Sequence, residues 1–179
     1  MDREEALPIL RAINGSPRWV ERLVHSRPFE DASALQRLAE RVWWSLSEQD
    51  WLDAFAAHPR IGQPIEGAAQ PAEGAAQRVE GTAPRGSGAD QHAAWSEMEQ
   101  RDTASAPAEL RARLAALNDR YAAKFGFIYI VCASGRSADE LLALLEARID
   151  RSRAEELRTA AEEQARITRL RIEKWLAQP

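Results

Sequence analysis

The chain has 179 residues, which is long enough to bury a hydrophobic core within a single domain. Its 24 basic and 28 acidic residues give a formal net charge of -4, without the basic excess that binding to nucleic acid usually requires. The single cysteine, Cys132, excludes an internal disulfide framework. The N-terminus is too acidic for a signal peptide and no apolar run approaches roughly 18 residues, so we expect a cytoplasmic protein with no membrane partner.

The first third of the chain has the punctuation of helices. Ser16 is suited to cap a helix that begins at Pro17, and apolar side chains follow at helical spacing. A second helix is predicted over residues 31–46, where leucine and valine recur every three or four positions. A third follows Ser47, which has an acid three residues later, and this helix places His58 near its C-terminal end.

Residues 63–94 have a different composition. They contain five of the nine glycines and repeat the sequence EGAAQ at 66–70 and 73–77. Two copies of so short a unit do not indicate a solenoid, which needs longer units and about three of them. Low complexity of this kind predicts a mobile surface loop.

A second change of pattern follows the amphipathic helix predicted over residues 107–125, which Gly126 closes. The stretch FIYIVCA, residues 127–133, is aromatic and β-branched, which favours an extended backbone. No second stretch of comparable strand character is present to pair with it. Its backbone groups must therefore be satisfied by loops, side chains, water or a ligand.

The rest of the chain returns to helical patterns. Ser137 and Glu140 form a capping box at the start of one helix, and a final long helix extends to the C-terminal region. The predicted fold is all-α: one compact multi-helix domain over residues 1–179, with one extended segment at about 127–133.

The final helix directs one arginine inward. At about 100° per residue its apolar residues share one broad arc, in which Arg171 falls, whereas Arg158 lies at the margin. A guanidinium stays charged, so burying it without an anionic partner is expensive. Two partners stay open at this point: a core carboxylate, which would make the arginine structural, and a substrate anion.

The other candidate groups have ordinary explanations when only the residues are considered. A lone histidine at a helix end, such as His58, is usually structural or exposed. Ser96, Glu99 and Gln100 have the composition of a solvated helix start. No zinc or nucleotide motif occurs, so neither a metal nor a cofactor is expected. Cys132 lies in an apolar run, which disfavours the thiolate that a catalytic cysteine needs.

Four motifs, taken in order, resemble the OHCU decarboxylases. They are HPRIG at 58–62, WSEMEQ at 95–100, YAAKFGFIYIVCASGRSADELL at 121–142 and ELRTAAEEQARITRLRIEKWL at 156–176. The resemblance covers about residues 16–175, apart from much of the loop at 63–94. These enzymes act on 2-oxo-4-hydroxy-4-carboxy-5-ureidoimidazoline in urate breakdown.

The resemblance also implies site residues. In such enzymes the histidine of the His-Pro motif and the glutamate of the Glu-Gln pair are catalytic, which selects His58 and Glu99. The family arginine of the last helix best matches Arg171, with Arg158 as the fallback. No metal ligand is implied. The residues expected to surround the substrate are Pro59, Ser96, Gln100, Tyr129, Ile130, Val131, Cys132 and Ala133.

A member of this family is expected to be an all-helical, cofactor-free homodimer that yields (S)-allantoin and carbon dioxide. Two alternatives remain open. One is a catalytically inactive helical module that uses its apolar faces for assembly. The other is an enzyme of the same fold that acts on a related ureido or carboxylate compound, because many relatives have proline or histidine inside the segment that reads FGFIYI here.

Overall fold

The computed structural model describes residues 2–61, 95–96 and 105–178, and within these residues it contains seven α-helices and no strand. The helices are α1 (Arg3–Ile13), α2 (Pro17–His25), α3 (Ala32–Trp44), α4 (Glu48–Ala56), α5 (Ala108–Phe125), α6 (Ala138–Arg148) and α7 (Arg153–Leu176). The predicted all-α fold is confirmed. The predicted loop at 63–94 lies outside the described residues. None of the described helices combines the length and apolar composition needed to cross a membrane.

The predicted helix boundaries follow from local chemistry. Ser16 Oγ accepts a hydrogen bond from the backbone of Trp19, and Pro17 occupies the first position of α2. Ser47 and Ser137 each form a capping box with the acid three residues later, as predicted. These side chains satisfy backbone donors that the first turn of a helix otherwise leaves without partners.

Helix α1 was not predicted from the sequence. Pro8 lies inside it and removes one backbone hydrogen bond, which obscures the helical pattern. The signal that was available is the capping box of Asp2 and Glu5. The helix forms nevertheless because it buries Leu10 and Ile13 completely in the core.

Helix α7, the longest of the described helices, contacts both α1 and α3. Ten of its 24 residues are buried, and five of these ten are polar or charged. So many buried polar groups require partners in the interior, because burying them without hydrogen bonds is costly. The five are Glu156, Glu163, Gln164, Thr168 and Arg171.

The segment at 127–133 joins α5 to α6 and lacks both helical and strand structure. Gly126 ends α5 in the left-handed region, with φ of 80°, which a residue with a side chain rarely adopts. Residues 129–133 are all buried. As predicted, the described residues offer this segment no strand partner, so side chains must hold it in place.

Candidate active site

One small cavity brings together most of the residues that the family resemblance selects. It lies between the C-terminal end of α4, the 127–133 segment and α7. Its volume of about 20 Å³ gives room for about one water molecule, so a ring-sized ligand enters only if part of the lining moves. The residues that line it are His58, Pro59, Ile61, Ser96, Tyr129, Ile130, Val131, Ala133 and Ile167.

A larger groove of about 540 Å³ lies between α3 and α7 and contains none of the predicted site residues. Two of its arginines pair with acids that do not line the groove: Arg166 lies 2.6 Å from Glu163, and Arg169 lies 3.0 Å from Glu173. These two arginines are thus already engaged by acids outside the groove. The chemistry therefore favours the smaller cavity.

The end of α4 fixes the position of His58. The His58 amide donates to Phe55 O at 3.1 Å, and Pro59 follows at a point where the helix cannot continue. Gly15 packs directly against this turn: a Cβ added there would lie 2.3 Å from Ala57 Cβ. Only a residue without a side chain lets the two backbones approach this closely.

Arg171 is completely buried, as its inward projection predicted. Its Nη1 donates to Ala12 O at 3.0 Å, and its Nη2 donates to Ser96 Oγ at 3.1 Å. Ala12 lies in the last turn of α1, where carbonyl groups lack helical partners and carry the negative end of the helix dipole. Both of these acceptors are neutral, and the second belongs to a residue that lines the cavity.

Two charged side chains from different helices hold the backbone of the 127–133 segment. Arg148 in α6 donates from Nη1 to Ile130 O at 3.0 Å, and its guanidinium lies 4.7 Å from the centre of the Tyr129 ring. Glu163 in α7 accepts a hydrogen bond from the amide of Cys132 at 2.8 Å. The segment is therefore fixed by contacts to its main chain.

Arg148 is itself held by a buried acid. Its Nε donates to Glu156 Oε1 at 2.7 Å, and the Tyr121 hydroxyl donates to the same oxygen. Burial, reinforced by this carboxylate, raises the pKa of Tyr121 above its ordinary value, and burial raises the pKa of Tyr129 to about 12. Both tyrosines are therefore neutral phenols at physiological pH.

Two predicted residues in the described part of the chain, Cys132 and Arg158, do not line the cavity. Glu99 and Gln100 lie outside the described residues. Cys132 is not among the residues that line the cavity, and its amide is bound to Glu163. Arg158, the fallback for Arg171, is mostly exposed; it pairs with Glu162 and lies over the Trp44 ring.

Sequence reasoning missed two lining residues, Ile61 and Ile167. Ile61 lies within the HPRIG motif, and Ile167 precedes Arg171 by four positions, so both were within reach of the pattern. In the described parts of the chain, no group of three or more histidine, cysteine, aspartate or glutamate side chains is arranged to hold a metal ion.

An all-helical fold thus carries a small cavity with a histidine, a hydroxyl and residues of the 127–133 segment in its wall, and a buried arginine bonded to that hydroxyl. This is the architecture of an enzyme site for a small polar molecule. The family model for OHCU decarboxylase matches residues 1–173 of the chain. The chain belongs to the OHCU decarboxylase family, as the four motifs predicted.

Two relatives are similar to most of the length of the chain. The chain is 33% identical over 163 residues to the uric acid degradation bifunctional protein TTL of Arabidopsis thaliana. This match covers 89% of the chain but only 44% of the Arabidopsis protein. It is 28% identical over 157 residues to the 2-oxo-4-hydroxy-4-carboxy-5-ureidoimidazoline decarboxylase of Haloferax volcanii, which covers 88% of the chain and 80% of that protein.

Two solved structures share the fold. A crystal structure of OHCU decarboxylase in the presence of (S)-allantoin superposes with a TM-score of 0.73 at 29% identity, covering 96% of this chain and 99% of the other. A crystal structure of (S)-allantoin synthase has a TM-score of 0.62 at 18% identity and covers 97% of this chain and 50% of the other. The second likeness concerns the fold alone.

Proposed function

We propose that the chain is a carboxy-lyase that converts 2-oxo-4-hydroxy-4-carboxy-5-ureidoimidazoline to (S)-allantoin and carbon dioxide in urate breakdown. Family membership and the names of the matched relatives support this assignment. The observation that carries it is the cavity itself, where His58 and Ser96 share a wall with the 127–133 segment and Ser96 is bonded to Arg171.

The reaction requires the protein mainly to position the substrate and a proton donor. Carbon dioxide leaves when the bond between the ring carbon and the carboxylate breaks, and the conjugated imidazoline ring accepts the electron pair. A proton must then reach the adjacent ring carbon from one face, because only one enantiomer is formed. The enzyme therefore has to hold the ring and present an acid on one side of it.

The proposed catalytic residues divide this work. His58 donates a proton to the substrate or polarises its hydroxyl, since its position at the cavity wall suits an acid. Glu99 orients this histidine or a substrate N–H group. Arg171 holds a carboxylate or a ureido carbonyl, but it cannot grip the departing carboxylate too strongly, because that would stabilise the ground state.

The other residues of the cavity lining suit a ligand rich in amide groups. The Ser96 hydroxyl accepts a hydrogen bond from Arg171 and keeps its own proton to donate. Main-chain groups of the 129–133 segment add further donors and acceptors. The residues proposed to surround the substrate are Pro59, Ser96, Gln100, Tyr129, Ile130, Val131, Cys132 and Ala133.

The proposal extends to a cofactor-independent, cytoplasmic homodimer built from one domain over residues 1–179. The support for these properties is the family resemblance, and for cofactor independence also the ability of the ring to act as its own electron acceptor. Activity that survives chelators and exhaustive dialysis is the expected result. A dimeric mass by light scattering is expected for the assembly.

The decisive experiment is an assay of product chirality. The labile substrate is generated in situ from urate with the upstream enzymes, and circular dichroism follows the allantoin that forms. Spontaneous decay is not expected to favour one enantiomer, so a rapid signal of one sign reports catalysis. A signal no faster or more chiral than that of the enzyme-free mixture would instead favour the inactive helical module.

A further inference from the structure

Glu163 is a buried acid that has no role in the reaction proposed above. It is 7% exposed and lies in α7, next to Glu162, which faces solvent. Its Oε2 accepts from the Cys132 amide at 2.8 Å, whereas its Oε1 accepts from Arg166 at 2.6 Å. Arg136 approaches Oε2 to 3.8 Å. The carboxylate is thus aimed at the main chain of the cavity wall.

The two hydrogen bonds to the 127–133 segment flank a single residue, Val131. Arg148 binds the carbonyl of the peptide group before it, and Glu163 binds the amide of the peptide group after it. In a trans peptide the C=O and N–H point in opposite directions. The Val131 amide therefore points away from Arg148, and the Val131 carbonyl points away from Glu163.

With this geometry the main-chain carbonyl and amide of Val131 can hydrogen-bond to a ligand. Val131 lines the cavity, and among the described residues its carbonyl and amide make no hydrogen bond. A carboxylate that accepts from one side of a peptide group polarises it, which strengthens the carbonyl on the other side as an acceptor. Glu163 thus both orients and strengthens that acceptor.

The charge on Glu163 is balanced by groups that reach water. The side chains of Arg136 and Arg166 are 30% and 60% exposed, so loss of the acid strands no buried cation. Arg148 differs, because its removal leaves the fully buried Glu156 without its main partner. Glu163 can therefore be removed at a smaller cost in stability, which separates its effect on the site from an effect on folding.

We propose that Glu163 is a positioning residue that fixes the peptide group between Val131 and Cys132, so that the Val131 carbonyl accepts a hydrogen bond from an N–H group of the substrate. The inference rests on the proposed function for the identity of that substrate, whose ring and ureido group both carry N–H donors. It assigns a role in ground-state binding rather than in proton transfer.

Three variants distinguish the loss of the acceptor oxygens of Glu163, the loss of its charge alone, and the loss of a neighbouring acid. Glu163→Ala removes the acceptor, Glu163→Gln keeps an acceptor oxygen without the charge, and Glu162→Ala is the matched control one position away. We expect KM to rise at least about tenfold in Glu163→Ala with a smaller change in kcat, and to rise less in Glu163→Gln. Glu162→Ala should keep the wild-type KM, because its side chain pairs only with Arg158 among the described residues.

A second readout keeps this test separate from the proposed activity. The amide resonance of Cys132 and the binding of (S)-allantoin are measured by NMR in the same variants. An inactive wild-type protein whose Cys132 amide shifts, and whose allantoin binding weakens, only in the Glu163 variants would refute the proposed reaction and support the positioning role. An unchanged KM and unchanged amide in Glu163→Ala, or equal effects in Glu162→Ala, would overturn the positioning role.

Discussion

Arg171 donates a hydrogen bond from Nη2 to Ser96 Oγ over 3.1 Å, so a residue near the end of the last helix meets one that lies 75 positions earlier. Its other described hydrogen bond goes to the Ala12 carbonyl at 3.0 Å. Neither acceptor is a carboxylate. These two contacts tie Arg171 to the end of α1 and to the cavity wall, and the choice between a core acid and a substrate anion as its charged partner is a matter for the variants below.

Arg171→Lys should lower turnover substantially while the folded protein keeps most of its stability. Lysine retains the positive charge but loses the planar geometry that lets one side chain reach two acceptors and a ligand together, so we expect a fall of at least about tenfold in kcat/KM. Enantioselective turnover and thermal unfolding, measured on the same preparation, check this.

The matched control for this arginine is Arg158→Ala in the same helix. Arg158 is exposed and pairs with Glu162, so its loss should leave turnover near the wild-type value. Loss of activity confined to Arg158→Ala, with wild-type rates in both Arg171→Lys and Arg171→Ala, would move the anion-binding role to the other face of α7.

His58→Asn should preserve the fold and abolish nearly all enantioselective product formation, because the proposed role is proton donation rather than packing. The control is His25→Asn, since His25 is an exposed histidine at the end of α2. Far-ultraviolet circular dichroism and the chirality assay distinguish the two variants. Full activity in His58→Asn would refute the proposed acid.

The sequence predicted the inward direction of Arg171 because helical periodicity alone determines which residues share a face. Glu156 and Glu163 lie on the same stripe, yet charged residues within an apolar arc carry no marker of whether they reach solvent. Their partners come from distant parts of the chain: the Glu163 carboxylate meets an amide 31 positions away. Tertiary contacts of this kind do not appear in local patterns.

The composition of the segment at 127–133 predicted part of its hydrogen bonding but not the partners. Aromatic and β-branched residues without a second strand predicted a segment that must find other hydrogen-bond partners, and this is confirmed. Which side chains supply those partners was not predictable, because Arg148 lies in the last turn of the next helix, where a basic residue is common for its interaction with the helix dipole. The roles of Glu99 and Gln100 stay predictions from the family resemblance.

Arg148→Ala should destabilise the protein by about 3 to 5 kcal/mol, because it leaves Glu156 buried without its main cationic partner. Arg151→Ala is the control, since Arg151 lies 3.8 Å from the same acid but is 42% exposed. Chemical denaturation of both variants gives the free energies of unfolding. Equal losses would show that burial of Arg148 carries no special cost.

Alkaline pH should unfold the protein through its tyrosines. The chain has two, and burial raises the pKa of Tyr129 to about 12 and that of Tyr121 above its ordinary value. The folded state then holds these protons more tightly than the unfolded state. The contribution of the two tyrosines to the free energy of unfolding is therefore complete below the unfolded-state pKa of about 10, and it is lost as the pH rises through the folded-state pKa. Near-ultraviolet absorbance should show tyrosinate in denaturant near its ordinary pKa, but in the native protein only at higher pH. Ionisation of either native tyrosine near pH 10 would contradict the burial described here.

Gly15→Ala should impair activity by displacing the turn that carries His58. The new Cβ would lie 2.3 Å from Ala57 Cβ and 3.3 Å from Ala54 O, and the first of these contacts forces the end of α4 to shift. Overpacking of this kind costs about 1 to 3 kcal/mol of stability. The control is the double variant Gly15→Ala with Ala57→Gly, which removes the atom that clashes, so a double-mutant cycle should show recovery of both stability and turnover. If the double variant is as impaired as the sum of the single variants, contact between these two positions does not fix the histidine.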